Sequence, residues 1–194
     1  MLHFAKSDPA FIDGVAWLDV MGAEQTDFYS DRGYAPVGRN TSYHVAPSQR
    51  SWAYNRQHVD LVFAISRVHG VHAPFAFWGH MNAVIAAAYF DRALLPDLSQ
   101  HGIELVIADG GSYWAEEGPQ TLLRPIFARH NLNLLYLPPY TPWLNPIEKV
   151  NGWIKGKMKS DLGIDRLDPI GAIRQIVGRV TPALCRSFID FLYG

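Results

Sequence analysis

The chain has 194 residues, 48% of them hydrophobic, 18% charged and 13% aromatic, with a formal net charge of −1. That is the length of one domain with a full core, and so much apolar content with so little net charge excludes intrinsic disorder. A membrane span needs about 20 apolar residues, whereas the longest apolar stretches, Ala83 to Ala88 and Ile103 to Ala108, are far shorter. The single cysteine, Cys185, cannot form an internal disulfide and suits a reducing interior. No charged segment leads into an apolar one at the start, so no secretory signal is read there. Charge is unevenly spread: residues 1–148 sum to −5 and residues 149–194 to +4. A basic C-terminal quarter is a solvated helix face or a contact for a polyanion.

No internal repeat or linker divides the chain. Residues 1–14 read as a loose lead-in and residues 15–194 as one domain. Val15 to Val20 reads as a buried strand with one acid in it, and Gly33 to Gly38 as turn chemistry between short strands. Val59 to Ile65 and Ala73 to Trp78 read as two further strands paired across a turn at Gly70, which makes the sheet mixed. Met81-Asn82 opens a helix that Pro96 is expected to end. Ile103 to Ala108 is a strand that stops at Asp109-Gly110-Gly111, where glycine permits a sharp exit. A helix over about 120–130 and a strand over 132–137 follow. After Pro138-Pro139-Tyr140-Thr141-Pro142 a helix runs from about Pro146 to Lys159, with Ile147, Val150, Ile154 and Met158 as its apolar stripe. A final helix is read over about 169–180. The order β-β-β-α-β-α-β-α gives an α/β fold with helices on both faces of one mixed central sheet.

Three carboxylates stand out. Asp19 sits in an apolar strand, where a charge is costly unless it is paired or bound to a cation. Pairing with an arginine or capping a strand end would also explain it. Asp109 ends a second apolar strand, the kind of position where active sites of open α/β sheets lie, although an acid before Gly110 also stabilises a turn. Glu148 lies in the first turn of a helix behind a proline-rich loop. Asn145-Pro146-Ile147-Glu148 fits a capping box with Asn145 as N-cap, so capping competes with catalysis there. Two strand acids and one helix acid can converge on divalent cations. With one cysteine and no dense histidine cluster, the hard oxygen set suits magnesium or manganese better than zinc.

Leu137-Pro-Pro-Tyr-Thr-Pro-Trp-Leu-Asn-Pro-Ile-Glu148 closely resembles the LPPYSPxLNPIE signature of DDE-type transposases, in the mariner-type superfamily and its bacterial insertion-sequence branch. Trp17-Leu18-Asp19 resembles the strand carrying the family's first acid. Arg32-Gly33-Tyr34-Ala35-Pro36-x-Gly38 resembles its RGxAPxG hairpin, and Ala73-Pro74-Phe75 through Met81-Asn82 its APF…GxMN helix entry. The resemblance runs from about residue 15 to the C-terminus. It implies a ribonuclease H-like fold and a catalytic, metal-binding triad of Asp19, Asp109 and Glu148 holding two Mg or Mn ions. The implied reaction is strand cleavage at element ends, water attacking first, and then strand transfer by the freed 3′-hydroxyl. The implied partner is double-stranded DNA, bound as a homodimer, with no membrane partner and a cytoplasmic, nucleoid-associated location if the source is bacterial.

The family's second acid usually sits in a DNxxxH context, whereas Gly110 and Trp114 occupy those positions here, and Val20 follows Asp19 where glutamate is frequent. Asp109 and Glu148 lie farther apart than is usual, by about four residues that fit a loop around Glu116 to Pro119, where insertions are cheap. The N-terminal helix-turn-helix part of the family is not represented. These departures leave two other readings open: an inert or domesticated remnant that binds DNA or protein, and a ribonuclease H-like nuclease that only hydrolyses.

Among weaker signals, Trp143 precedes Glu148 and is placed to stack on an unpaired base. Asn145 shares that loop, and Lys155, Lys157 and Lys159 follow on the same helix, as DNA-contact candidates or as a solvated face. His69 and His72 flank Gly70, and exposed turn histidines are a plainer reading of them than a metal pair. Tryptophans such as Trp52, Trp78 and Trp153 are core by default.

Overall fold

The computed structural model describes residues 9–24, 58–109, 120–161, 163, 165 and 167–194. Its five-stranded sheet has the spatial order β3-β2-β1-β4-β5, from β1 (Val15–Ala23), β2 (Val59–Ser66), β3 (Gly70–Trp78), β4 (Leu105–Ala108) and β5 (Asn133–Tyr136). The first three strands form an antiparallel meander, while β4 runs parallel to β1 and β5 parallel to β4. The sheet is therefore mixed, as read from the sequence. Helices α1 (Pro9–Asp13), α2 (Ala83–Tyr89), α3 (Leu95–Gln100), α4 (Gln120–Arg129), α5 (Ile147–Ser160), α6 (Pro169–Val177) and α7 (Pro182–Tyr193) surround it.

Strand periodicity sorts the core into two layers. Side chains alternate faces along a strand, so Val15, Trp17 and Met21 pack with Leu61, Phe63, Ile65 and the stripe Ile147, Val150, Ile154 and Met158 of α5. On the other face Ala16 and Leu18 join Val62, Ala64 and helices α2 to α4. A central strand covered on both sides must be apolar nearly throughout, which is why β1 and β2 read as continuous hydrophobic runs. Asp19 belongs by the same alternation to the α5 face. Among the described residues no helix is long and apolar enough to cross a membrane.

Three local differences from the sequence reading have physical causes. Pro96 does not end its helix: a π-helical turn, Phe90–Leu94, precedes it and α3 runs on to Gln100. Pro96 falls in the first turn of that new segment, where a missing N–H is tolerated. Pro9–Asp13, read as loose lead-in, is a short helix whose Ile12 enters the core. A last helix beyond residue 180 was not anticipated. α7 starts where Thr181 accepts a hydrogen bond from the Leu184 N–H, with proline next in line. Arg67 ties α1 to α7, donating from Nη1 to Asp13 at 2.9 Å and from Nε to Asp190 at 2.7 Å.

Candidate active site

Strand register brings the first two acids together. In the parallel pair of β1 and β4, Leu18 stands opposite Ala108, so the next residues along, Asp19 and Asp109, leave the ladder side by side. The sheet also organises the route to the third acid. The Leu137 N–H donates to the Ala108 carbonyl at 2.8 Å, so the proline-rich loop departs from a point next to Asp109. That loop closes through Thr141 Oγ1, which donates to the Pro138 carbonyl at 2.6 Å. Its other end is held where the Tyr193 hydroxyl donates to the Leu144 carbonyl. Helix α5 then starts at Ile147 and packs its apolar stripe onto β1, which places Glu148, one residue on, at the same edge of the sheet.

The Asp19 carboxyl is buried, at 7% exposure. Its Oδ1 accepts from the Val20 N–H at 2.8 Å and its Oδ2 from Asn151 Nδ2 at 2.7 Å. Burial first, then the negative charges of Glu148 and of Asp109, push its pKa up to about 8 against the two hydrogen bonds. Glu148 is raised as well, by desolvation and then by Asp109, while a hydrogen bond from Asn151 and the charge of Lys155 act the other way. The carboxylates at the end of β4 and on α5 thus both act on the Asp19 carboxyl of β1, and among the described residues no cation is among the groups that shift it. Among the described residues, no arginine partner of the kind that would explain Asp19 as a structural acid is seen.

The capping reading of Glu148 fails on geometry. Pro146, not Asn145, takes the N-cap position of α5 and no side-chain cap bond forms there. Asn145 is 1% exposed, and neither its Oδ1 nor its Nδ2 has a partner among the described residues. Burial also removes Asn145 from the surface residues that could meet DNA. Trp143 is 66% exposed beside an exposed Tyr140. Lys155 is half-buried and Lys157 and Lys159 are exposed on α5, with Lys157 Nζ 5.5 Å from the Trp153 ring centre. Trp78, read as core, is 47% exposed on the edge strand β3. Of the turn histidines, His72 is buried rather than exposed. The Arg32 to Gly38 hairpin, Trp52, Gly110, Trp114 and the Glu116 to Pro119 loop lie outside the described residues.

Asn151 is the site residue that the sequence reading missed. Its signal was present: a polar residue three positions after Glu148, on the face that carries Ile147, Val150 and Ile154. A buried amide in an apolar stripe needs a partner, and the partner is the Asp19 carboxyl.

The sequence profile described as DDE superfamily endonuclease matches residues 14–169. No curated protein matches the chain. Among solved structures, a pre-cleavage Mos1 transpososome superposes with a TM-score of 0.69 at 11% identity, covering 98% of this chain and 56% of that one. A Mos1 mariner paired end complex with Mn gives 0.68 at 14% identity, covering 98% and 55%. A Mos1 strand transfer complex gives 0.68 at 12% identity, again covering 98% and 55%. At such identities the likeness shows the fold, which is the ribonuclease H-like arrangement that the sequence motifs implied. The chain spans about half the length of these structures' chains.

Proposed function

Since the chain belongs to the DDE superfamily of endonucleases, we propose that Asp19, Asp109 and Glu148 hold divalent metal ions, Mg or Mn, and that the chain cleaves and rejoins DNA strands as the catalytic part of a transposase. The observation that supports this most is the convergence of the three acids: Asp19 and Asp109 directly follow the paired residues Leu18 and Ala108, and the charges of Glu148 and Asp109 both raise the pKa of the buried Asp19. The donor set is hard and anionic, as these ions require. Two ions, when bound, supply stabilisation of the attacking and leaving oxygens of an in-line phosphoryl displacement.

The chain's own side chains do the rest. Asn151 and the Val20 N–H orient the Asp19 oxygens. Glu148 stands exposed at the mouth of the site, with Lys155 close enough to favour its charged form. Trp143, Lys157 and Lys159 lie on the loop and helix on either side of Glu148, where a stacking ring and two ammonium groups would hold the nucleic-acid backbone. The substrates in this reading are the ends of a mobile element and a double-stranded target, engaged as a homodimer. The test is a nicking assay on duplex DNA: magnesium or manganese supports turnover, and calcium supports binding without it. Cleaved ends that are never joined to a second duplex would reduce the reading to a hydrolytic nuclease.

A further inference from the structure

A second convergence of donor groups lies on the opposite face of the sheet, toward its β3 edge. His69 and His72 flank Gly70, where β3 begins. Gly70 has a φ of 82°, and a Cβ there would come within 3.0 Å of Pro182, so this turn is held tightly against the start of α7. Asp97 lies on α3, and His101, four residues on, directly follows its last turn. His72 stands opposite Ala64, whose side chain belongs to the layer of α2 to α4, whereas Asp19 faces α5.

His72 Nδ1 is 2.9 Å from Asp97 Oδ2, and His101 Nδ1 is 3.3 Å from Asp97 Oδ1. Donor atoms of these three residues all lie within 4.8 Å of one another. The His69 ring centre is 4.6 Å from that of His101 and 6.2 Å from that of His72. The far nitrogen of His72, Nε2, is 2.8 Å from Ser66 Oγ, which is how a metal-ligating imidazole is held in one orientation by a group behind it. His72 is buried, while the Asp97 and His101 side chains are 30% and 34% exposed, so one side of the cluster opens to solvent. Two imidazoles and one carboxylate on a hairpin and a helix end form the mixed nitrogen–oxygen set that zinc prefers and magnesium does not.

We propose that His72, Asp97 and His101, with His69 as a fourth donor, bind one transition-metal cation of the Zn²⁺ class and so clasp the β2–β3 turn to α3. In the metal-free chain His101 Nδ1 donates to the Asp97 carbonyl at 2.8 Å. That bond and the His72 proton facing Asp97 are given up when the cation enters, since ligating nitrogens must be unprotonated. The clasp is separate from the three acids and takes no part in strand cleavage.

The test is a Co²⁺ titration of the full chain, read by visible absorption, with Zn²⁺ competition and melting temperature as second readouts. One equivalent of Co²⁺ should give ligand-field bands that Zn²⁺ abolishes, and Zn²⁺ should raise the melting temperature. His101→Ala and, separately, Asp97→Asn should each weaken Co²⁺ binding by more than about tenfold, the loss that a missing outer partner alone produces. Glu148→Gln and His80→Ala should leave the bands intact. Absence of the bands would overturn the proposal. So would bands that survive both cluster variants, or bands lost on Glu148→Gln or on His80→Ala, the latter placing the ion at the His58, Asp60 and His80 group instead.

Discussion

Asn151 Nδ2 donates to Asp19 Oδ2 at 2.7 Å across 132 residues of sequence, joining the helix that carries Glu148 to the strand that carries Asp19. The bond favours the charged form of a carboxyl that burial disfavours. Asn151→Ala should therefore weaken manganese binding by about tenfold or more, the usual cost of removing a partner behind a metal ligand. Its cost in stability should be about 1–3 kcal/mol, the cost of leaving the buried Asp19 oxygen without its donor. A manganese titration beside a thermal melt separates the two effects. A large stability loss with unchanged metal affinity would make Asn151 a packing residue only.

Glu148→Gln and Asp109→Asn should each abolish nicking while leaving the metal-free melting temperature unchanged or slightly higher. Each removes a negative charge that raises the pKa of the buried Asp19. A cap lost from α5 would instead destabilise by about 0.5–2 kcal/mol. Because no side-chain cap bond forms at that helix start, no such loss is expected; thermal melts of both variants check it.

The pH dependence follows from Asp19, whose pKa is raised from 3.8 to about 8, chiefly by burial. The folded chain then binds this proton more tightly than the unfolded chain does. Its contribution to stability is fully present below about pH 4, and it is lost as pH rises toward 8. Without divalent ions, the melting temperature should fall across that window, and Asp19→Asn should flatten the fall. Metal binding must displace the proton, so calorimetry near neutral pH should show proton uptake by the buffer that Asp19→Asn removes. A stability profile identical in wild type and Asp19→Asn would contradict the assignment.

Charge reversal at Lys157 and Lys159 should weaken DNA binding about equally for all sequences and flatten its dependence on salt. Trp143→Ala should weaken binding to single-stranded more than to duplex DNA, because stacking needs an unpaired base face. Fluorescence anisotropy at several salt concentrations reads both effects, and an unchanged slope would make the lysines an ordinary solvated face.

Much of this was legible in the primary structure, because local pattern suffices for local elements. The apolar runs of β1 and β2 follow from burial on both faces, and the stripe of α5 from helical spacing. The pairing of Asp19 with Asp109 needed only two neighbouring parallel strands, with Asp109 directly beyond the end of β4 and Asp19 inside β1. Contacts between distant segments left weaker traces. The His72–Asp97 pair joins two elements 25 residues apart, so His72 read as an exposed turn residue. Asn145 looked like a cap because its side chain suits one, yet the 3₁₀ turn Pro142–Leu144 delivers it into the interior. Pro96 looked like a helix end because a π-turn cannot be read from composition.

The central claim is that Asp19, Asp109 and Glu148 together hold the metal that cuts DNA. It is tested most directly by a strand-cleavage assay of the wild-type chain beside a folded Asp19→Ala variant, with and without manganese. The account predicts cleavage only for wild type with manganese. Cleavage by Asp19→Ala at the wild-type rate, or by wild type with all divalent ions chelated, would contradict it.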